Sequence, residues 1–402
     1  MTTHEYTKHA GKESCAIAQV IGRLGGGGAQ RVAYHLAVAL TRRDAPSLAV
    51  ALRQDIGYVE ADVENEVETL ALNIDPTTSG GLVGGARKFR RLIADYELDV
   101  VHVHGEDCLP FVYLATRMMK RRPAIHFTWH NSAFVLEQQR GWRRVVMRRA
   151  LRSCAGLSGS SHNVAQRLTA ALGGDREVLV LRNGVPTPVP PPQRQHEHRP
   201  TIVWVGRLVT AKGPEVMLQA CHCLAQQGHE FLLRMVGDAP PGRSAYAQQL
   251  QRMTRDLGLE DRVCFDGWVD DVDAILRDAD IAVQTSFTEG LSMALLEQMM
   301  AGLAIVATEV GDTAPALDHG RCGLLIPPRD EAALTEVLRS LIEDPALRQK
   351  LGAAARQRAV ECYSFEAMAE QALEMYGLCP TDGSEGAAGP AAPQNSTRVA
   401  EQ

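Results

Sequence analysis

A proline-rich span divides this chain into two stretches that carry the same alternation of short apolar strands and helices. Residues 186–200 hold six prolines among polar and histidine residues, the composition of a linker. Before it, strands are expected at 15–21, 48–52, 100–104, 124–128, 156–159 and 178–181, with a helix from about residue 29 to 40. After it, strands are expected at 201–205, 231–236, 263–265, 282–285 and 304–307, with a helix at 215–225. Strand–helix alternation at this spacing predicts an α/β chain of two Rossmann-like, doubly wound parallel-sheet domains. Parallel sheets bind ligands at the carboxyl ends of their strands, so two such domains facing each other would line one central cleft. The expected division is a first domain at 14–186, a linker at 187–200 and a second domain at 201–364. A final helix follows at 365–377, and then a tail at 378–402. The tail is rich in Gly, Ala, Pro, Ser and Asn and is expected to be disordered.

Two glutamates stand eight residues apart in the second half. Glu297 is the sole ionisable side chain from Leu291 to Ala304, in a run that reads as a buried helix. An unpaired carboxylate there would cost several kcal/mol. A partner arriving from outside, such as a pair of sugar hydroxyls, is therefore expected. Glu289 and Gly290 sit where a strand gives way to that helix, and a helix N-terminus offers free N–H groups to an anion. Gly206-Arg207 ends the strand at 201–205, and Lys212 follows five residues after Arg207. Two cations at a strand's carboxyl end suit a diphosphate, and they fit two solvated surface charges as well. Gly25 to Gly28 follow the first strand and open a helix, which suits either phosphate approach or a tight turn. His104 and His130 each end a strand-like run, where a cleft would lie, and each fits a purely structural role as well.

Several patterns read more plainly. Asp271-Val272-Asp273 and Asp278-Ala279-Asp280 have a metal-binding form, yet their charged helix-to-strand setting marks them as surface and capping residues. Cys221-His222-Cys223 lacks a second ligand pair and falls in a helical pattern. The nine cysteines are an odd number and mostly sit in apolar segments, as reduced cytosolic thiols do. No apolar run reaches the roughly 18–20 residues that span a bilayer, and residues 1–14 are polar and charged. A cytoplasmic location follows as an expectation.

Charge is uneven. Residues 1–190 carry 24 Lys/Arg and 18 Asp/Glu, while the remainder carries 18 and 30. The basic excess concentrates in residues 85–152, with 14 basic and 6 acidic side chains. Within it, 141–152 reads as a basic amphipathic helix with an apolar stripe at Trp142, Val145, Val146 and Met147. Such a helix can lie on an anionic membrane surface or cover a core with a solvated face outward. No recognition motif for nucleic acid is present.

Taken in order, these elements resemble the large retaining glycosyltransferase family 4, the glycogen-synthase-like group with the GT-B fold. The matching pieces are Gly26-Gly27 with Arg31, Asp99 to His104, Asn183-Gly184-Val185, Val205 to Leu208 with Lys212-Gly213, and Val236-Gly237-Asp238. Ser286, Glu289-Gly290, Glu297 and Ala301-Gly302 complete the set, over roughly residues 15–377. The resemblance implies that the second domain binds a nucleotide sugar and that the final helix returns to the first. It implies that Glu297 holds the ribose, and that Arg207 and Lys212, on the Gly206 turn, neutralise the departing diphosphate. Glu289 would bind the sugar with the N–H groups of Gly290 and Leu291. Gly26 and Gly27 would approach the phosphates, and His130 would sit at the sugar. Gln30, Ala304 and Pro186 depart from the family's usual residues without touching the glutamates or the Arg/Lys pair.

The expected reaction is transfer of a hexose from a nucleotide-diphosphate sugar to a glycan or lipid-linked glycan, with retention, for a surface or extracellular polysaccharide. Positive charge from Arg207, Lys212 and the helix dipole would stabilise the leaving group, so no metal or other cofactor is expected. No second carboxylate offers an obvious nucleophile, which favours front-face transfer. The expected partners are the nucleotide sugar, the glycan or lipid-linked acceptor and an anionic membrane face. Two other readings are a nucleotide-sugar epimerase of similar architecture, which needs no acceptor, and a non-catalytic scaffold with the same fold. The intact Glu289, Glu297, Arg207 and Lys212 speak against the scaffold.

Overall fold

The computed structural model describes residues 15–24, 28–53, 66–74, 79–130, 141–174, 176–188, 199–239 and 244–378. The first sheet is built from β1 (Ile17–Ile21), β2 (Ser47–Ala51), β3 (Thr69–Ala71), β4 (Val100–His104), β5 (Ala124–Trp129), β6 (Gly156–Gly159) and β7 (Leu179–Val180). Its order is β3-β2-β1-β4-β5-β6-β7, and every pairing is parallel. The second comprises β8 (Thr201–Val205), β9 (Leu232–Val236), β10 (Val263–Gly267), β11 (Ile281–Gln284), β12 (Ala304–Thr308) and β13 (Leu324–Ile326). Its order is β10-β9-β8-β11-β12-β13, again all parallel. Both are doubly wound, with the strand order reversing between β1 and β4 and between β8 and β11. Ligands of such sheets bind beyond the carboxyl ends at these reversals.

The central strands β1 and β4 are buried along their whole length, including the polar Gln19, His102 and His104. Two strands, β3 and β13, were not expected from the sequence. Each has three residues, too few to show a period. The tail beyond 378, most of the linker, and Gly26 and Gly27 lie outside the described residues.

The chain crosses between the sheets twice, and the two crossings touch. Val185 N donates to Tyr363 O at 2.9 Å, and Val185 forms a parallel bridge with Ser364. A Cβ on Gly184 would stand 2.8 Å from Ser364 O, so glycine lets the crossings meet. Ser364 then caps the last helix, α13 (Phe365–Tyr376), accepting from Ala367 N at 3.1 Å. This helix lies against α1 (Gly28–Thr41), where the Phe365 and His35 rings are 4.9 Å apart. One buried apolar cluster runs from Ile17 and Leu36 through Phe365 and Met368 to Leu296 and Ile305. It joins both units behind the carboxyl ends of their strands.

Candidate functional site

Three loops at the carboxyl ends of β8, β11 and β12 are locked together by hydrogen bonds from side chains and backbone. Trp204 Nε1 donates to Thr285 Oγ1, which donates to Lys212 O, each at 2.9 Å. Phe287 N donates to Ala211 O at 2.8 Å, and Thr308 Oγ1 donates to Ser286 O at 2.6 Å. Two glycines permit this closeness. Gly213 has φ +61°, and a Cβ on it would stand 2.4 Å from Thr285 O. Gly311 has φ +55°, and its Cβ would stand 2.2 Å from Glu289 O. Both conformations disfavour any side chain, and the space forbids one. The turn that carries Glu289 is thus clasped on two sides.

The clasp brings Lys212 onto Glu289 as an ion pair, with both side chains about four-fifths buried (18% and 21% exposed). Ser286 Oγ donates to the same Glu289 oxygen at 3.4 Å. Gly290 and Leu291 lead into α9 (Met293–Met300), and Glu297 lies one turn inside that helix. Gly206 and Arg207 occupy the turn after β8, and Arg207 is exposed. That turn packs on the next: Gly206 N donates to Val236 O at 2.9 Å, and Leu208 N to Asp238 O at 3.0 Å.

Across the cleft, the first unit meets these loops directly. Arg31 on α1 pairs with Glu297, Nη2 to Oε1 at 2.5 Å, and the glutamate is only 13% exposed. The expectation that the Glu297 carboxylate stands unpaired until a ligand arrives is corrected by this contact. Its charge is balanced from the other domain. A second bridge joins α5 (His162–Leu172) to the loop after β12. Asp312 Oδ2 accepts from His162 N at 2.6 Å and from His162 Nδ1 at 2.9 Å. In the sequence Arg31 stands out only through the family resemblance, and His162 and Asp312 do not stand out as site residues. The one available signal was a Gly-Asp pair just past a buried strand.

His130 follows β5, and its Nε2 lies 2.9 Å from His104 Nδ1, with the rings stacked at 5.2 Å. Burial pushes the His130 ring down to about 4 and holds His104 well below the ordinary histidine range. Both are neutral at pH 7. Glu289, Lys212 and Glu297 therefore gather with their partners around the carboxyl ends of the second sheet, while His130 stands at the carboxyl end of β5 in the first.

The remaining motifs have structural roles. Asp271 caps α8 (Val272–Asp278), accepting from Ala274 N at 2.9 Å, and Asp280 accepts from Thr201 N at 2.9 Å. His222 Nδ1 donates to Leu257 O at 2.9 Å, and Cys221 is buried beside it in α6 (Pro214–Gln226). Among the described residues, no group of three His, Cys, Asp or Glu is placed to hold a metal. No described helix is long and apolar enough to cross a membrane. Helix α4 (Gly141–Ser153) buries Met147, Ala150 and Leu151 and exposes Arg143, Arg144, Arg148, Arg149 and Arg152. Val145, expected in the apolar stripe, is half exposed among these arginines, and Met118 is exposed at the end of α3 (Leu109–Thr116).

A family model described as Glycosyltransferase Family 4 matches residues 26–188, and one described as Glycosyl transferases group 1 matches residues 190–358. The D-inositol 3-phosphate glycosyltransferase of Corynebacterium diphtheriae is 28% identical over 183 residues, 45% of this chain and 43% of that protein. The lipopolysaccharide core biosynthesis glycosyltransferase LpsD of Rhizobium meliloti is 29% identical over 210 residues, 51% of this chain and 59% of that protein. The chain thus spans about half the length of the curated relatives it matches. Among solved structures, Anabaena HepE in complex with UDP superimposes with a TM-score of 0.72 at 18% identity, covering 90% of this chain and 99% of that one.

Proposed function

This chain belongs to glycosyltransferase family 4 and has the GT-B fold, and we propose that it transfers a hexose from a nucleotide-diphosphate sugar to a glycan or lipid-linked glycan, with retention of configuration. The observation that carries this reading is the pairing of Glu289 with Lys212 one helical segment away from Glu297, which faces the opposite domain.

Breaking a glycosyl–phosphate bond develops negative charge on the diphosphate and positive charge on the sugar. Lys212 and Arg207 stand at the carboxyl end of β8, where the diphosphate would lie, and preorganised charge of this kind needs no reorganisation during reaction. Glu289 accepts hydrogen bonds from sugar hydroxyls on the same side. Gly290 and Leu291 offer backbone N–H groups at the start of α9, and Glu297 takes the ribose. On this reading the positive charge comes from side chains, with no metal required. Neither Glu289 nor Asp312 is placed as a free nucleophile, since each is engaged by a cation or a histidine. Transfer on the front face, with the leaving phosphate taking the acceptor proton, fits that arrangement. Turnover assays with one sugar nucleotide at a time test the reading, through release of the nucleoside diphosphate. HepE was solved with UDP, which makes UDP sugars the first donors to try.

The acceptor is proposed to be a surface or extracellular polysaccharide precursor held at the inner face of the membrane. LpsD acts in lipopolysaccharide core biosynthesis by its name. The exposed arginines of α4, with Val145 and Met118 exposed as well, suit contact with anionic lipid. Flotation with vesicles containing phosphatidylglycerol is expected to carry the protein at low salt and release it at high salt. Recovery of all the protein in the unbound fraction at low salt would contradict the membrane contact.

A further inference from the structure

A buried chain of hydrogen bonds runs from His130 at the carboxyl end of β5 to Ser158 on β6. His130 Nε2 lies 2.9 Å from His104 Nδ1, and His104 Nε2 lies 2.9 Å from Gln19 Oε1. Gln19 Nε2 lies 3.4 Å from the Tyr376 hydroxyl, which lies 2.7 Å from His102 Nδ1. His102 Nε2 lies 2.7 Å from Thr128 Oγ1, and Thr128 Oγ1 lies 2.6 Å from Ser158 Oγ. Ser158 Oγ in turn reaches Phe127 O at 3.5 Å. Strand register builds the chain: Gln19 pairs with His102 across β1 and β4, and His104 pairs with Thr128 across β4 and β5. Tyr376 joins it as the last residue of α13.

A neutral imidazole carries one N–H and one bare nitrogen. In a buried chain of neutral groups, each proton position therefore fixes the next. A carbonyl can only accept, so Ser158 donates to Phe127 O and accepts from Thr128. Thr128 then accepts from His102 Nε2, and His102 Nδ1 accepts from the Tyr376 hydroxyl. Tyr376 accepts from the Gln19 amide, whose oxygen accepts from His104 Nε2. His104 Nδ1 is left to accept from His130 Nε2. We propose that His104, Gln19 and Tyr376 are positioning residues that hold His130 as its neutral Nε2–H tautomer, leaving Nδ1 as a hydrogen-bond acceptor for a hydroxyl of the bound sugar. The assignment rests on the proposed function only for the nature of that hydroxyl. It gives the terminal helix a part in shaping the cleft, because the link between Gln19 and His102 passes through Tyr376.

The test is the histidine nitrogen spectrum of the full-length protein, labelled with 15N-histidine and recorded at pH 7 without donor or acceptor. His130 is identified by the signal lost in His130→Gln. The expected result is a single Nε2–H pattern. An Nδ1–H pattern, or a rapidly averaging pair of tautomers, would overturn the proposal. In Tyr376→Phe the ring keeps its packing against His126, 4.8 Å away, but the hydroxyl link is gone. A mixed His130 signal is expected there, and an unchanged single tautomer would overturn the part assigned to Tyr376. The native spectrum stands by itself if that variant does not fold. Because no substrate is present, the spectrum is independent of whether transfer has been detected, so failure of the tautomer and failure of the proposed function are separable.

Discussion

Replacing Glu289 with glutamine is expected to lower sugar transfer by about 10²–10³-fold, the loss that follows when one preorganised electrostatic contact is removed from an active site. Glutamine keeps the size of the side chain and removes the charge that engages Lys212. Lys212, about four-fifths buried, then loses its charged partner, so some stability is lost as well, and an unfolding curve at the assay temperature separates that loss from the loss of rate. Lys212→Met is expected to produce a loss of similar size. If the two act as one unit, the double variant loses little more than the worse single one, because neighbours in one ion pair are not additive. A Glu289→Gln enzyme with the native rate would remove the pair from the chemistry. A scaffold would be indifferent to either change.

The second large effect concerns acid. His102, His104, His126 and His130 gather at the first sheet, and burial lowers the affinity of each for a proton. His126 and His130 are pushed down to about 4 from an ordinary value near 6.5, and the other two are held well below 6.5. An unfolded chain takes up these protons near pH 6.5, while the folded one resists them. Between about pH 6.5 and 4 the unfolded state binds more protons, so stability rises with pH and is lost as pH falls. Each such histidine contributes a slope of at most about 1.4 kcal/mol per pH unit, and their mutual repulsion prevents a simple sum. Urea unfolding at pH 7.5, 6 and 5 is expected to show midpoints that drop steeply below pH 6.5. A midpoint independent of pH over that range would mean that the histidines titrate freely in the folded protein.

The long buried strands were legible in the sequence because β1, β8 and β11 hold one polar residue each and β4 sets its two histidines among valines. The short β3 and β13 were not, since three residues on a sheet edge carry no period. The site was legible as positions and illegible as pairs. Glu289 and Glu297 stood out by spacing and by isolation from other charge. Their partners did not, because Lys212 lies 77 residues from Glu289, and Arg31 lies 266 residues from Glu297. Only the closing of two domains brings the second pair together. The same holds for His162 and Asp312, 150 residues apart. His104 and His130 were each noticed as strand ends, but their contact depends on parallel neighbours in register. Gly213 and Gly311 show a further limit. Their glycines are dictated by carbonyls of other loops, which no local pattern reveals.

The most direct test of the donor site is a thermal-shift titration with UDP, GDP and ADP, comparing the native protein with Glu297→Ala and Arg31→Met. A ligand at a hundredfold its dissociation constant stabilises the folded state by about 2.7 kcal/mol. The account predicts that one of the three raises the melting temperature of the native protein and that Glu297→Ala abolishes the rise. Arg31→Met breaks the same interdomain pair but keeps the carboxylate, so it should retain a shift. No rise with any nucleotide, or an equal rise in Glu297→Ala, would contradict the donor site described for this fold.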